Sequence, residues 1–204
     1  MAPKGADTRA RILDAAHALI LERGYAGLSI DQLIGSLGLT KGAFFHHFKN
    51  KQALARALIR RHADDSVAML EKHLARAEKL SSDPLQRLLI FVGLYEELFE
   101  NLSAPFPGCL FASYVYELEQ FDEAIMEITI EEFVLSRREL SRLLADAEAA
   151  YPPSVPVDRE ALADAFQTIF EGAFILSKAL KEPNLIARQL RVYKTFLESI
   201  YSRR

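Results

Sequence analysis

Between Thr40 and Lys51 the chain gathers Thr40, Lys41, His46, His47 and Lys51, with Gly42 and Ala43 small enough to leave a backbone open. Hydroxyl and ammonium donors of this kind suit phosphate oxygens. A lysine in the first turn of a helix also reaches the O6 and N7 acceptors of guanine. Gly42 would let a partner's backbone come close, and Phe45 would lie near that backbone. Catalytic sets are missing from the sequence: there is no glycine-rich phosphate loop, no nucleophile elbow and no metal cluster. His46 and His47 are adjacent and so point different ways on a helix, which is poor geometry for joint ligation. His17, His62 and His73 lie far apart and read as surface or boundary histidines. An enzyme, a metal and a cofactor are therefore not expected.

Those donors need a scaffold, and the stretch Leu28–Leu54 supplies one. Ser29 is placed to cap a short helix, with Gln32 completing a capping box. Leu33, Ile34 and Leu37 give that helix an apolar face, and Gly38 stands where the chain must turn sharply. Thr40 can cap a second short helix, anchored inward by Phe44 and Phe48, four residues apart. The pattern is a helix-turn-helix, and its second helix is the kind that lies in a DNA major groove. A preceding helix from about Asp7 to Arg23, ended by Gly24, packs across the pair through Ile12, Leu13, Ala16, Leu19 and Ile20. Asn50 can cap a fourth helix with Lys51 in its first turn, a place for a phosphate. That helix runs on past Arg60-Arg61-His62 and links head to body.

Charge is divided along the chain. Residues 1–62 carry ten Lys/Arg against four acids, whereas the whole chain has a net charge of −3, so the remainder stands at −9. A basic head on an acidic body fits a protein that meets a polyanion at one end; a chance excess of solvated cations is the bland alternative. Half of the 204 residues are hydrophobic and 26% are charged, the balance of an ordinary globular protein. One cysteine excludes an intrachain disulfide and suits a reducing, cytoplasmic setting. The charged N-terminal stretch MAPKGADTRARILDAA has no apolar signal-peptide core, and no apolar run approaches the ~20 residues that cross a bilayer, so no membrane partner is expected.

The rest of the chain reads as helices with few breaks, giving an all-α protein. Val67, Leu70 and Leu74 mark the continuing link helix. Asp83-Pro84 starts a helix carrying Leu88, Leu89, Val92, Tyr95 and Phe99. Cys109 opens CLFASYVYELEQ as a further helix, and Asp122 to about Ala149 forms a long one. After the connector Tyr151–Pro156, Asp158 caps a helix with Leu162, Phe166, Ile169, Phe170, Ala173, Phe174 and Leu176. Pro183-Asn184 separates it from a last helix bearing Leu190, Tyr193, Phe196 and Leu197. This terminal pair has more apolar surface than a small body needs, which suggests self-association; use of both faces within a monomer is the alternative.

The head resembles the DNA-binding domain of the TetR family of bacterial transcriptional regulators. The resemblance is carried by ILDAAHALILERGYAGLSI, by LGLTKGAFFHHFKNK and by the QAL that follows, and it spans residues 8–55. Two positions depart: Phe45 stands where the family usually has tyrosine, removing a hydroxyl that would contact a phosphate, and Ile34 stands where a small residue is usual. The resemblance implies residues 1–50 as a helix-turn-helix DNA-binding domain and 51–204 as a helical effector-binding and dimerisation domain. It also implies a homodimer joined by a four-helix interface; the dimer residues expected are Leu162, Ile169, Ala173, Leu176, Leu190, Tyr193 and Leu197. Expected DNA contacts are Ser29, Thr40, Lys41, Gly42, Ala43, Phe45, His46, His47 and Lys51.

The expected effector pocket takes in Phe91, Tyr95, Phe99, Cys109, Phe111, Tyr114, Phe166, Phe170 and Phe174, with the two phenols as polar handles. The bland alternative is that these aromatics are core. Together these features point to a cytoplasmic repressor, nucleoid-associated when bound, that a small apolar or aromatic effector releases from a palindromic double-stranded operator. Two other readings stay open. One is a regulator sensing oxidants or electrophiles through Cys109, with Lys178 as a cationic neighbour; the other is a non-regulatory helical protein that binds small molecules.

Overall fold

The computed structural model describes residues 4–201. Those residues form helices α1 (Lys4–Arg23), α2 (Ile30–Ser36), α3 (Lys41–His47), α4 (Lys51–Leu80) and α5 (Pro84–Leu98), then α6 (Leu110–Val115), α7 (Glu123–Ala150), α8 (Arg159–Leu180) and α9 (Leu185–Tyr201). A 3-10 turn covers Leu118–Gln120, and no strand occurs among the described residues. The chain divides into two compact units, residues 1–65 with 109–131 and residues 66–108 with 132–204. No helix of the described residues is long and apolar enough to cross a membrane.

In the first unit, local signals set the helix ends. Gly24 and Gly38 take φ of +76° and +65°, values that favour glycine. Thr40 caps α3, its Oγ1 accepting from Ala43 N at 3.2 Å. Asn50 Oδ1 accepts from Ala53 N at 2.8 Å. Each such cap contributes about 1 kcal/mol. The capping box expected at Ser29 does not form: Ser29 makes no side-chain cap bond, and its carbonyl alone accepts from Leu33 N at 3.0 Å. Ile12, Leu13, Ile20, Leu33, Phe44, Leu54, Leu58 and Ile59 are fully or almost fully buried and make the small core. Ile34 is buried as well, so the space between the short helices accepts the larger side chain.

The helix expected from Cys109 to Gln120 stops early. Its regular part ends at Val115, and at Glu117 the backbone turns to φ −121°, ψ 36° before the 3-10 turn. The Glu117 carboxylate accounts for the break. Its two oxygens accept from Tyr25 N at 2.6 Å and Ala26 N at 2.7 Å, which ties the segment to the α1–α2 connection. Tyr114 adds to this packing by donating to the Ala55 carbonyl at 3.1 Å and stacking on Phe121.

In the second unit, Asp83 and Asp158 cap α5 and α8 through Gln86 N and Ala161 N, as their positions before the helices predict. Helix α9 packs on α5 and α8, where Leu185, Ile186, Leu190, Tyr193, Leu197 and Ile200 are buried. Glu96 lies inside this packing, only 5% exposed. Arg191 and Lys194 hold it at 2.7 and 2.9 Å and keep its pKa below the usual range despite burial.

Candidate functional site

Helix α3 presents one face outward. Lys41, Gly42, Phe45 and His46 are exposed, Ala43 and His47 are half-buried, and Phe44 and Phe48 are buried beneath them. This is the spacing of a helix standing on two aromatic anchors, and it leaves one edge free for a groove. A Cβ on Gly42 would meet only Thr40 Oγ1 at 3.8 Å, so the surface there is open. Phe45 is 49% exposed and lies edge-on to Phe44 at 5.3 Å, an apolar ring amid polar donors. The rings of His46 and His47 lie 5.0 Å apart and nearly perpendicular.

Two lysines are already engaged. Lys41 pairs with Asp31 of α2 at 2.9 Å, with both side chains 67% exposed. Lys51 Nζ sits 4.2 Å above the Tyr25 ring and donates to the Ala26 carbonyl at 3.5 Å. Partial burial lowers its pKa, opposed by Glu117. Its ammonium is thus held on the α1–α2 connection, a different setting from the free phosphate donor that its place in the first turn suggests. Lys49 and Arg60 remain exposed beside it and line an open groove with Arg56, which pairs with Asp122. Ser29 is half-buried at the start of α2.

Residues 12–58 match the model of the bacterial regulatory proteins of the TetR family. The head is a TetR-family DNA-binding domain. It is 26% identical over 183 residues to the transcriptional regulator AcuR of Cereibacter sphaeroides, covering 90% of this chain and 82% of that one. Over 80 residues it is 36% identical to the repressor NemR of Escherichia coli, covering 39% of this chain and 35% of that protein. A TetR-family regulator from Agrobacterium tumefaciens shares the fold, with a TM-score of 0.78 at 22% identity over 98% of this chain and all of that one. With that domain and these relatives the chain is a DNA-binding transcriptional regulator, with the helix-turn-helix of α2 and α3 in its N-terminal head.

The aromatic residues singled out for an effector fall in two places. Phe91, Tyr95, Phe99, Phe166, Phe170 and Phe174 come together in the second unit. Tyr95 meets Phe166 at 5.4 Å, and Phe99 meets Phe170 at 5.3 Å and Phe174 at 5.6 Å, all edge-on. Phe106 joins them at 5.3 Å from Phe99. Cys109, Phe111 and Tyr114 instead belong to the first unit. There Phe111 packs on the His62 ring at 4.6 Å, and His62 lies 5.5 Å from His17. Burial, then His17 and Arg61, push the His62 pKa down to about 4, so it is neutral at pH 7. Cys109 is the half-buried residue before α6, and Lys178 donates to the Pro107 carbonyl at 3.3 Å.

The expected dimer residues also divide. Leu162, Ala173, Leu190, Tyr193 and Leu197 are buried within the single chain, where Tyr193 donates to the Leu162 carbonyl at 2.8 Å. They fill the chain's own core and are not on its surface. Leu176 is exposed and Ile169 half-buried. The apolar residues that do reach the surface of α8 and α9 include Ile175, Leu180, Val192 and Phe196, each more than half exposed. Periodicity named the apolar residues of both helices, but each helix has two apolar faces and the sequence does not say which one its own chain uses. Glu117 was missed altogether, since nothing in YELEQ points a carboxylate at backbone amides 91 and 92 residues away.

Proposed function

We propose that two copies of this chain form a repressor that leaves a palindromic operator when a small apolar or aromatic molecule fills the second unit. The observation that carries the reading is the free edge of α3, with Lys41, Gly42, Phe45 and His46 outward over buried Phe44 and Phe48. In this reading Lys41 and His46 meet base edges or phosphates. Thr40, His47 and Lys49 meet the backbone, Phe45 meets apolar groove atoms, and Ser29 and Lys51 set the scaffold. Residues 1–50 form the DNA-binding domain, and residues 51–204 bind effector and dimerise. The protein works in the cytoplasm and sits on the nucleoid when bound.

One recognition helix binds weakly, so two heads on two half-sites supply affinity and specificity. The partner copy is met through Ile175, Leu176, Val192 and Phe196. Gly172 supports this placement. It stands in the middle of α8, where glycine costs about 1 kcal/mol relative to alanine, yet nothing lies within 4 Å of where its Cβ would be. Crowding inside the chain does not require glycine there, whereas close approach of a second helix would. The effector acts by binding more tightly to the form whose heads do not fit the operator.

Fluorescence anisotropy with the DNA upstream of the chain's own coding sequence tests the reading. Wild type is expected to bind at low salt, and Lys41→Ala to bind about ten-fold more weakly, the scale of one lost base or phosphate contact. No binding to any segment of that DNA at low salt would overturn it.

A further inference from the structure

We propose that Phe45 is a base-reading residue: its ring packs on the C5 methyl group of a thymine in each operator half-site. The inference rests on reading α3 as the helix that enters the major groove. Phe45 is 49% exposed, the one exposed large apolar side chain among the described residues 28–54. Its ring stands edge-on to Phe44 at 5.3 Å, and Phe44 is fully buried, so the core of the head braces the ring from below. Phe44 in turn lies 5.7 Å from buried Phe48. An exposed ring leaves apolar area in water, and a ring already held in place loses little side-chain entropy when a partner covers it.

The surroundings of Phe45 leave room for a base edge. Gly42, three residues earlier on the same face of α3, puts no side chain beside the ring. A Cβ added at Gly42 would meet only Thr40 Oγ1 at 3.8 Å, so no other part of the head fills that side. Lys41, four residues earlier, shares this edge and is exposed, as is His46. A phenyl ring carries no donor or acceptor of its own, so it neither holds a phosphate nor pairs with the polar edge of a base. In the major groove every base pair presents donors and acceptors, and thymine alone adds an apolar group, its C5 methyl. Packing the ring on that methyl removes apolar area of both from water, whereas the other bases offer it polar atoms that would lose theirs. Sugar carbons also cover a ring but carry no sequence information. Ala43, half-buried in the same turn, is the other apolar side chain able to touch a methyl, and a Phe45 variant separates the two.

Fluorescence anisotropy with the full chain and the DNA upstream of its own coding sequence, synthesised with dTTP or with dUTP in its place, tests the proposal, because uracil lacks only the methyl group. Wild type is expected to bind the thymine DNA about fifteen-fold more tightly, from roughly four-fold for each methyl in two half-sites. Phe45→Ala is expected to bring the two DNAs within about two-fold, and Phe45→Leu, which keeps an apolar side chain, to retain part of the preference. Equal binding of both DNAs by wild type overturns the proposal and leaves α3 standing as the DNA-reading helix. A preference that survives unchanged in Phe45→Ala assigns the methyl to another residue or to DNA shape and removes Phe45 from the role. Absence of binding to either DNA at low salt overturns the reading of α3 itself. Phe45 is exposed, so both variants should keep the fold, which circular dichroism checks, and the wild-type comparison needs neither.

Discussion

In the proposed reading, Lys41 must leave an internal partner to meet DNA. Its ammonium pairs with Asp31 at 2.9 Å on the open surface, where such a pair is worth little and is screened by salt. Contact with a phosphate or a guanine would break that pair, so Asp31 is expected to subtract from affinity. Asp31→Asn is expected to tighten DNA binding roughly three-fold at low salt and to steepen the dependence on salt, because one more lysine charge meets the polyanion. Anisotropy over a salt series reads both, and unchanged affinity would mean that Lys41 does not approach the DNA. At this scale much was legible in the sequence. Thr40, Asn50, Asp83 and Asp158 cap as their types and positions predict, and Phe44 and Phe48 are buried as their spacing predicts. The Lys41–Asp31 pair was not legible, since it depends on how α2 and α3 cross.

Helices α6 and α8 show where element-level reading stops. The CLFASYVYELEQ run has helical periodicity throughout, but a tertiary hydrogen-bond demand ends the helix at Val115 and turns Glu117 onto the amides of Tyr25 and Ala26. Local pattern carries no information about amides that need an acceptor far away in sequence. Glu117 also crowds Gly24: a Cβ there would lie 2.5 Å from its Oε1, so the residue is glycine for both φ and space. Glu117→Ala is expected to cost about 2 kcal/mol in urea unfolding, the scale of charge-assisted bonds to backbone N–H groups. It should weaken DNA binding with an unchanged salt slope, because no phosphate contact is lost. A changed slope would make Glu117 part of the DNA surface. On α8 and α9 the signal was present but two-valued: apolar residues ring much of each helix, and the chain's own core claims the face with Leu162, Ala173, Leu190, Tyr193 and Leu197. Residues left outside, among them Ile175, Leu176, Leu180, Val192 and Phe196, are exposed in the single chain.

For the molecule as a whole, the basic head and acidic remainder follow from the sequence, and so does the all-helical fold. Less legible was the division into units. Residues 109–131 lie far from the head in sequence, yet they belong to its compact unit through Glu117, Tyr114 and the Arg56–Asp122 pair. The central claim is that two copies, joined through the outer faces of α8 and α9, read two half-sites with α3. Its most direct test is sedimentation equilibrium combined with operator titration, comparing wild type with the double variant Ile175→Asp, Phe196→Asp. Both positions are exposed in the single chain, so its fold should survive. Wild type is predicted to sediment as a dimer and to bind a palindrome with one dimer per site. The variant should sediment as a folded monomer and bind at least about a hundred-fold more weakly, having lost the linked second head. A folded monomeric variant that binds the palindrome as tightly as wild type, or a wild type that is monomeric both free and on DNA, would contradict the account.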